Sequence, residues 1–193
     1  MRIIGGTAAG IILKTPKGFD VRPTPDLVRQ AIFNSLGARV EGARILELFG
    51  GTGALSLECL SRGAKSAVVI EVSGKHARFI EQNHRLSKLP PGSLQIRVQD
   101  VFTTLPRMAE NRQIFDLILA DPPFGEKNVG WRSKSFAQKM LDDKHLPELL
   151  DPEGLLILGH SKRDNLEIPS SWSERKTMKH GDSWMRFLER AEG

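Results

Sequence analysis

Five times along the chain a short apolar run without polar alternation ends in a turn, and four of these runs lead into a stretch of helical spacing. No other feature constrains the fold as much. "ARILELFG" leads through glycines into "GALSLECLSRG", where Ala54, Leu57 and Leu60 share a helix face and Gly63 supplies a stop. "SAVVIEV" leads into residues 74–88, "LQIRVQD" into 101–110, and "FDLILAD" through a loop into 135–150; "EGLLILGH" closes the series. Runs of Val, Ile and Leu that do not alternate suit strands covered on both faces, the condition of a parallel sheet. The expected class is α/β, a doubly wound and mostly parallel seven-stranded sheet.

The ends depart from that rhythm. "SWSERKTMKH" and "DSWMRFLER" read as an antiparallel C-terminal hairpin turning at Gly181 and Asp182. Ahead of residue 40, "RIIGG" and "GIILKT" suggest a small N-terminal hairpin. "TPDLVRQAIFNSL" suggests a helix with Thr24 as N-cap and Pro25 in its first turn. The expected organisation is an extension over residues 1–40 and a main domain over 41–193.

Hydrophobic residues make up 39% of the chain and charged residues 26%, usage that supports a packed core and argues against disorder. No run approaches the roughly 18 to 20 apolar residues of a membrane span, and the N-terminus lacks the apolar segment of a signal peptide. A single cysteine, Cys59, agrees with a reducing compartment, so a cytoplasmic location is expected. The net charge of +5 and pI near 9.6 suit a polyanionic partner without identifying one. The histidines at 76, 84, 145, 160 and 180 show no metal-ligand spacing, and no metal is expected.

Chemistry concentrates where strands end. In "ELFGGTG", Gly50, Gly51 and Gly53 follow a strand and open a helix, so main chain and helix N-terminus can approach a ligand; a tight turn with no ligand has the same residues. A dinucleotide fingerprint would need glycine where Ser56 stands, and the Gly5-to-Gly10 spacing of a phosphate loop has Ile11 in place of lysine. Glu71 ends the next strand, 18 residues past Gly53, near the spacing at which an acid reaches a ribose hydroxyl pair. Glu47 would face an amino-bearing, cationic ligand end, and Asp100 an adenine amine. Three acids at successive strand ends repel a pyrophosphate and suit a sulfonium cofactor.

"LADPPFGE", residues 119–126, sets Asp121 at the fourth strand end. Pro122 and Pro123 have no N–H, so the main chain there offers acceptors only. A carboxylate and a proline carbonyl can hold both hydrogens of an exocyclic amine, while Phe124 gives a face on which a base stacks. The alternative is a strand stop with Phe124 in the core.

"ELFGGTGAL" with "DPPF" resembles the Rossmann-like S-adenosylmethionine-dependent methyltransferases that modify exocyclic amines of nucleic-acid bases. "MRIIGG", "RPTPDLVRQAIFN", "LSRGA" and "FDLILADPPF" resemble, more narrowly, the RsmD family, which methylates a guanine N2 amine of small-subunit (16S) ribosomal RNA. The likeness runs to about residue 160. It implies S-adenosyl-L-methionine as cofactor, with Glu47, Phe49, Gly50, Gly51, Gly53, Glu71, Asp100 and Val101 lining its pocket. It also implies a target-base site at Asp121, Pro122, Pro123 and Phe124. The chain departs from the family in "TAAGIIL", where members carry arginines, and in Glu47 and Gly50, where Asp and Ala are commoner.

An RNA surface is expected over Lys14, Arg22, Thr24, Arg29 and Asn34 of the extension and Lys127, Trp131, Arg132 and Lys134 of "GEKNVGWRSK". The expected substrate is ribosomal RNA, alone or in the small subunit or its assembly intermediate, and nothing demands more than a monomer. The same pocket logic serves an adenine N6 methyltransferase. A nicotinamide-dependent oxidoreductase is disfavoured by Ser56, and a non-catalytic RNA-binding protein by Asp121.

Overall fold

In a computed structural model, residues 1–15, 24–123 and 132–191 are described. They form two compact units, Met1–Thr103 and a second beginning at Thr104. The expected doubly wound, mostly parallel seven-stranded class with a C-terminal antiparallel hairpin is the class observed.

In the first unit, β1 (Arg44–Leu48), β2 (Ser66–Glu71) and β3 (Leu94–Val98) are parallel, with β2 in the middle; Glu47 pairs with Val69 and Glu71 with Val98. α1 (Asp26–Leu36) precedes β1, α2 (Ala54–Ser61) connects β1 to β2, and α3 (Gly74–Ser87) connects β2 to β3. α4 (Val101–Glu110) follows β3 over the span expected for it. Every residue of α2 is buried, although Ser56, Glu58 and Ser61 are polar. Gly63 ends that helix as expected: at φ 92° it lets Gly63 N–H reach Leu60 O and Ala64 N–H reach Cys59 O, a Schellman closure. Thr24 does not cap α1. Pro25 occupies the cap position in an extended conformation, no side chain bonds there, and Asp26 puts its charge in the first turn, favourable to the helix dipole.

The N-terminal segment is less than a hairpin. Arg2 and Ile12 form one antiparallel bridge, extended by Ile3 N–H to Ile11 O and Leu13 N–H to Met1 O. It belongs to the first compact unit, so compaction does not change at residue 40. Glu58, wholly buried, explains the attachment. Its Oε2 accepts from Ile4 N–H at 2.7 Å and its Oε1 from Gly5 N–H at 2.8 Å and Arg62 Nε at 2.8 Å. Ser61 adds Oγ to Gly5 O at 2.6 Å and accepts Ala8 N–H at 2.9 Å. Gly6, at φ 77°, passes so close to α2 that a Cβ would overlap the Ser61 carbonyl.

In the second unit the strand order is β4 (Phe115–Ala120), β5 (Leu150–Ser161), β7 (Ser183–Arg190), β6 (Trp172–His180). β4 and β5 are parallel, while β7 is antiparallel to β5 and β6. The turn falls at Gly181, with φ 56°, and Asp182, as expected. The helix expected over 135–150 is shorter. α5 covers Phe136–Leu141, capped by Ser135 Oγ on Gln138 N–H at 3.1 Å. Asp143 then turns the chain by accepting from His145 and Leu146 N–H, and Pro147 opens a 3-10 turn before β5.

His160 on β5 is almost wholly buried, and Arg186 Nε on β7 donates to its Nε2 at 3.0 Å, so that nitrogen carries no proton. Burial first, then the Arg186 charge, pushes its pKa down to about 4.

Two outcomes follow from this packing. Glu58→Ala leaves Arg29, also wholly buried and 3.8 Å from Glu58, without that counter-charge and the N-terminal segment without its acceptor; a loss of about 3 to 5 kcal/mol is expected in chemical denaturation. For His160 the folded pKa lies below the unfolded value, so the unfolded chain binds the proton first and stability falls as pH drops from about 6.5 towards 4. His160→Gln should flatten that part of the stability–pH curve, measured by denaturant midpoint.

Candidate functional site

The glycine turn of the first unit owes its shape to what packs beneath it. A Cβ on Gly50 would overlap Val69 Cγ1 of β2 and lie 3.1 Å from Ile80 Cδ1 of α3. One on Gly53, at φ 73°, would lie 2.7 Å from Ile80 Cγ2. These two glycines therefore admit Ile80. Gly51, at φ 55°, turns its N–H to Glu71 Oε2 at 2.8 Å, and Phe49 is held at φ 61°, a left-handed conformation costly for an aromatic residue. Gly53 N–H to Gly50 O at 2.7 Å closes the turn.

The three acids expected at the strand ends each brace main chain. Glu47, almost wholly buried, accepts Ser56 N–H at 3.0 Å on Oε2, placing its charge at the N-terminus of α2. Glu71 accepts Gly51 N–H on one oxygen and Ser73 N–H, at 2.8 Å, on the other, with His76 Nδ1 3.5 Å away. Asp100 is exposed and accepts Thr103 N–H at 3.0 Å, capping α4. Val101 is buried, and Phe102 after it meets Phe49 edge-to-face at 6.1 Å between centroids. A carboxylate oxygen that accepts one N–H keeps a second lone pair. The cradle is thus rich in acceptors, while its glycine N–H groups are engaged within the turn and with Glu71. That acceptor set fits a ligand with an ammonium, a ribose hydroxyl pair and an adenine amine.

Cys59, on α2 nearby in sequence, takes no part. Burial, then the negative charges of Glu47 and Glu58, push its thiol well above the ordinary range.

In the second unit β4 ends at Ala120 and leads into Asp121, half-buried, then Pro122, buried, and Pro123, exposed. Ala120 pairs with Leu158 of β5, so the next step along the ladder brings Asp121 beside Gly159. A Cβ on Gly159 would overlap Asp121 Oδ1 and lie 3.0 Å from its Cγ. The Asp121 carboxylate occupies the place a side chain would take.

Of the expected RNA residues, Arg22, Lys127 and Trp131 lie outside the described residues, as does Phe124. Lys14, Asn34 and Lys134 are exposed. Arg29 is not an RNA contact. It is wholly buried, with Nη2 donating to Arg2 O at 2.6 Å and to Asp26 at 2.7 Å and Nη1 3.8 Å from Glu58 of α2. Arg132 is exposed but paired twice, to Asp142 at 2.6 Å and Glu167 at 2.7 Å.

A family model described as "Conserved hypothetical protein 95" matches residues 1–189. The chain belongs to this family, the RsmD family of Rossmann-like methyltransferases. "Ribosomal RNA small subunit methyltransferase D" of Escherichia coli K12 is 29% identical over 191 residues, covering 98% of this chain and 90% of the relative. The Haemophilus influenzae protein of the same name is 27% identical over 90% of this chain and 85% of its own. The solved Escherichia coli structure "Putative methyltransferase yhhF" superposes with a TM-score of 0.77 at 27% identity, covering 100% of this chain and 99% of that one. S-adenosyl-L-methionine is the cofactor, and the cradle of the first unit fits it.

Sequence reasoning missed Gly159 and Asn83. A glycine inside an apolar strand and an asparagine three residues after Ile80 on a helix's buried face are signals of close approach and of a buried polar bond. Gly159→Ala should leave folding near neutral, since alanine suits a strand at least as well. It displaces the Asp121 carboxylate. Methyl transfer should fall about a hundredfold or more while S-adenosylhomocysteine affinity, measured calorimetrically, stays within about twofold.

Proposed function

We propose that this protein transfers a methyl group from S-adenosylmethionine to the exocyclic N2 amine of a guanine in small-subunit ribosomal RNA. The observation that carries the reading is Asp121, seated over Gly159 and followed by two residues without N–H groups. The names of the family relatives, which specify small-subunit ribosomal RNA, support the substrate.

An amine conjugated with a purine ring has its lone pair delocalised, and its nitrogen attacks poorly while its hydrogens lie in the base plane. The Asp121 carboxylate and the Pro122 carbonyl accept those hydrogens and hold the nitrogen with its lone pair turned out of the base plane. The cofactor, held by the acceptors of the first unit, would supply the methyl carbon as an electrophile on a sulfonium, the S–C bonding pair returning to sulfur as the nitrogen takes the methyl. The surplus proton leaves nitrogen for Asp121 or water. In the first unit, Glu71 serves the ribose hydroxyls, Glu47 the ammonium end and Asp100 the adenine amine, while Gly51 and Gly53 bring main chain close. Lys14 and Lys134 contribute phosphate contacts, with Phe124 as the stacking face. The base must leave its helix first, which is easiest in a loop or in an assembly intermediate.

Asp121→Ala should abolish transfer of labelled methyl to small subunits from a strain lacking the protein, with S-adenosylhomocysteine affinity retained. Digestion of the wild-type product to nucleosides should yield N2-methylguanosine. N6-methyladenosine would replace the guanine reading with the adenine one, and activity in the Asp121 variant would overturn the amine site.

A further inference from the structure

Asn83 lies in the middle of α3 with no exposed surface. Its Oδ1 accepts Lys14 N–H at 2.7 Å, and its Nδ2 donates to Lys14 O at 3.0 Å. The pair closes a ring with the N–H and C=O of one residue, as a neighbouring antiparallel strand would. The same Nδ2 donates its other hydrogen to Thr52 O at 3.1 Å, in the middle of the glycine turn. A buried carboxamide is costly unless its groups are paired, and here both hydrogens and the oxygen are. One turn earlier on the same face, Ile80 fills the space that Gly50 and Gly53 leave open. Helix α3 therefore touches the turn twice, by packing at Gly53 and by a hydrogen bond at Thr52, and through Asn83 it also fixes the N-terminal segment.

We infer that Asn83 is a positioning residue that ties the N-terminal segment to the cofactor turn, so that order at Lys14 sustains the turn in its binding geometry. This rests on the reading of that turn as the cofactor site. The segment is pinned elsewhere by Glu58 and Ser61 on α2, whose bonds hold residues 4, 5, 7 and 8 but reach neither Lys14 nor Thr52. Asn83 alone among these three side chains bonds to both segments. Whatever grips the N-terminal segment and whatever fills the turn then favour each other by the same factor. A substrate RNA held by Lys14 and its neighbours would tighten cofactor binding, and cofactor would tighten RNA binding.

The test uses the full chain and S-adenosylhomocysteine. Asn83→Asp keeps the shape but turns the two donor contacts into carboxylate facing carbonyl; Asn83→Ala removes all three bonds. Lys14→Pro removes the donor from the other side and leaves the interior of α3 unchanged. Affinity is measured calorimetrically on protein shown to be folded by its melting transition, and hydrogen exchange is followed by mass spectrometry. In all three variants the S-adenosylhomocysteine Kd should rise about tenfold, the effect of losing roughly one good hydrogen bond. Exchange should quicken in residues 3–14 and 50–53 together, with the β6–β7 hairpin unchanged. A Lys14→Pro protein that binds within about twofold of wild type overturns the coupling even if the Asn83 variants do not fold. Exchange that quickens in only one of the two segments overturns it as well. Wild-type protein that fails to bind S-adenosylhomocysteine defeats instead the reading of the turn on which the inference rests.

Discussion

A carboxylate taken out of water must find donors, and in the first unit three glutamates find them on the main chain. Glu47 accepts from Ser56, Glu58 from Ile4 and Gly5, and Glu71 from Gly51 and Ser73. Each bond does two things at once: it compensates the burial of a charge and fixes a segment that has no regular partner of its own. The first turn of α2 has N–H groups without helical partners, the N-terminal segment and the glycine turn are irregular backbone, and all three are held this way. The glycine turn is consequently shaped by bonds within the protein, and a ligand that fits it need not bear the cost of ordering a loop.

The second unit solves a different problem with an absence. Asp121 must present a carboxylate at a strand end without being drawn fully into the sheet or left swinging in water. Gly159 on the neighbouring strand provides a seat of the right size, and Pro122 and Pro123 leave the following main chain without N–H donors. The result is a cluster of acceptors. Its geometry depends as much on a missing methyl group in β5 as on the acid itself.

The parallel strands, the helices after the first three, the Gly63 stop and the Gly181–Asp182 turn were legible because each is a local statement: an apolar period, a residue free to adopt positive φ, a pair of turn residues. The early end of α5 was partly legible in Pro147, but the decisive step is Asp143 bonding two later N–H groups, which competes with the helix. Thr24 as a cap failed by one residue, since Pro25 took the position instead. Arg29 was read as a surface cation because its charge is visible in the sequence and its burial is not.

The sequence by itself determined the sheet class, the glycine turn and the positions of Glu47, Glu71, Asp100 and Asp121 at strand ends, because strand and helix periods place such residues without reference to anything distant. Only the tertiary structure decided what those acids hold, which arginines are spent on ion pairs, that Gly159 seats Asp121, and that Asn83 bonds both Lys14 and Thr52. The Asn83 bonds join residues 31 and 69 positions apart in the chain, and no local pattern encodes which of many buried polar groups will meet.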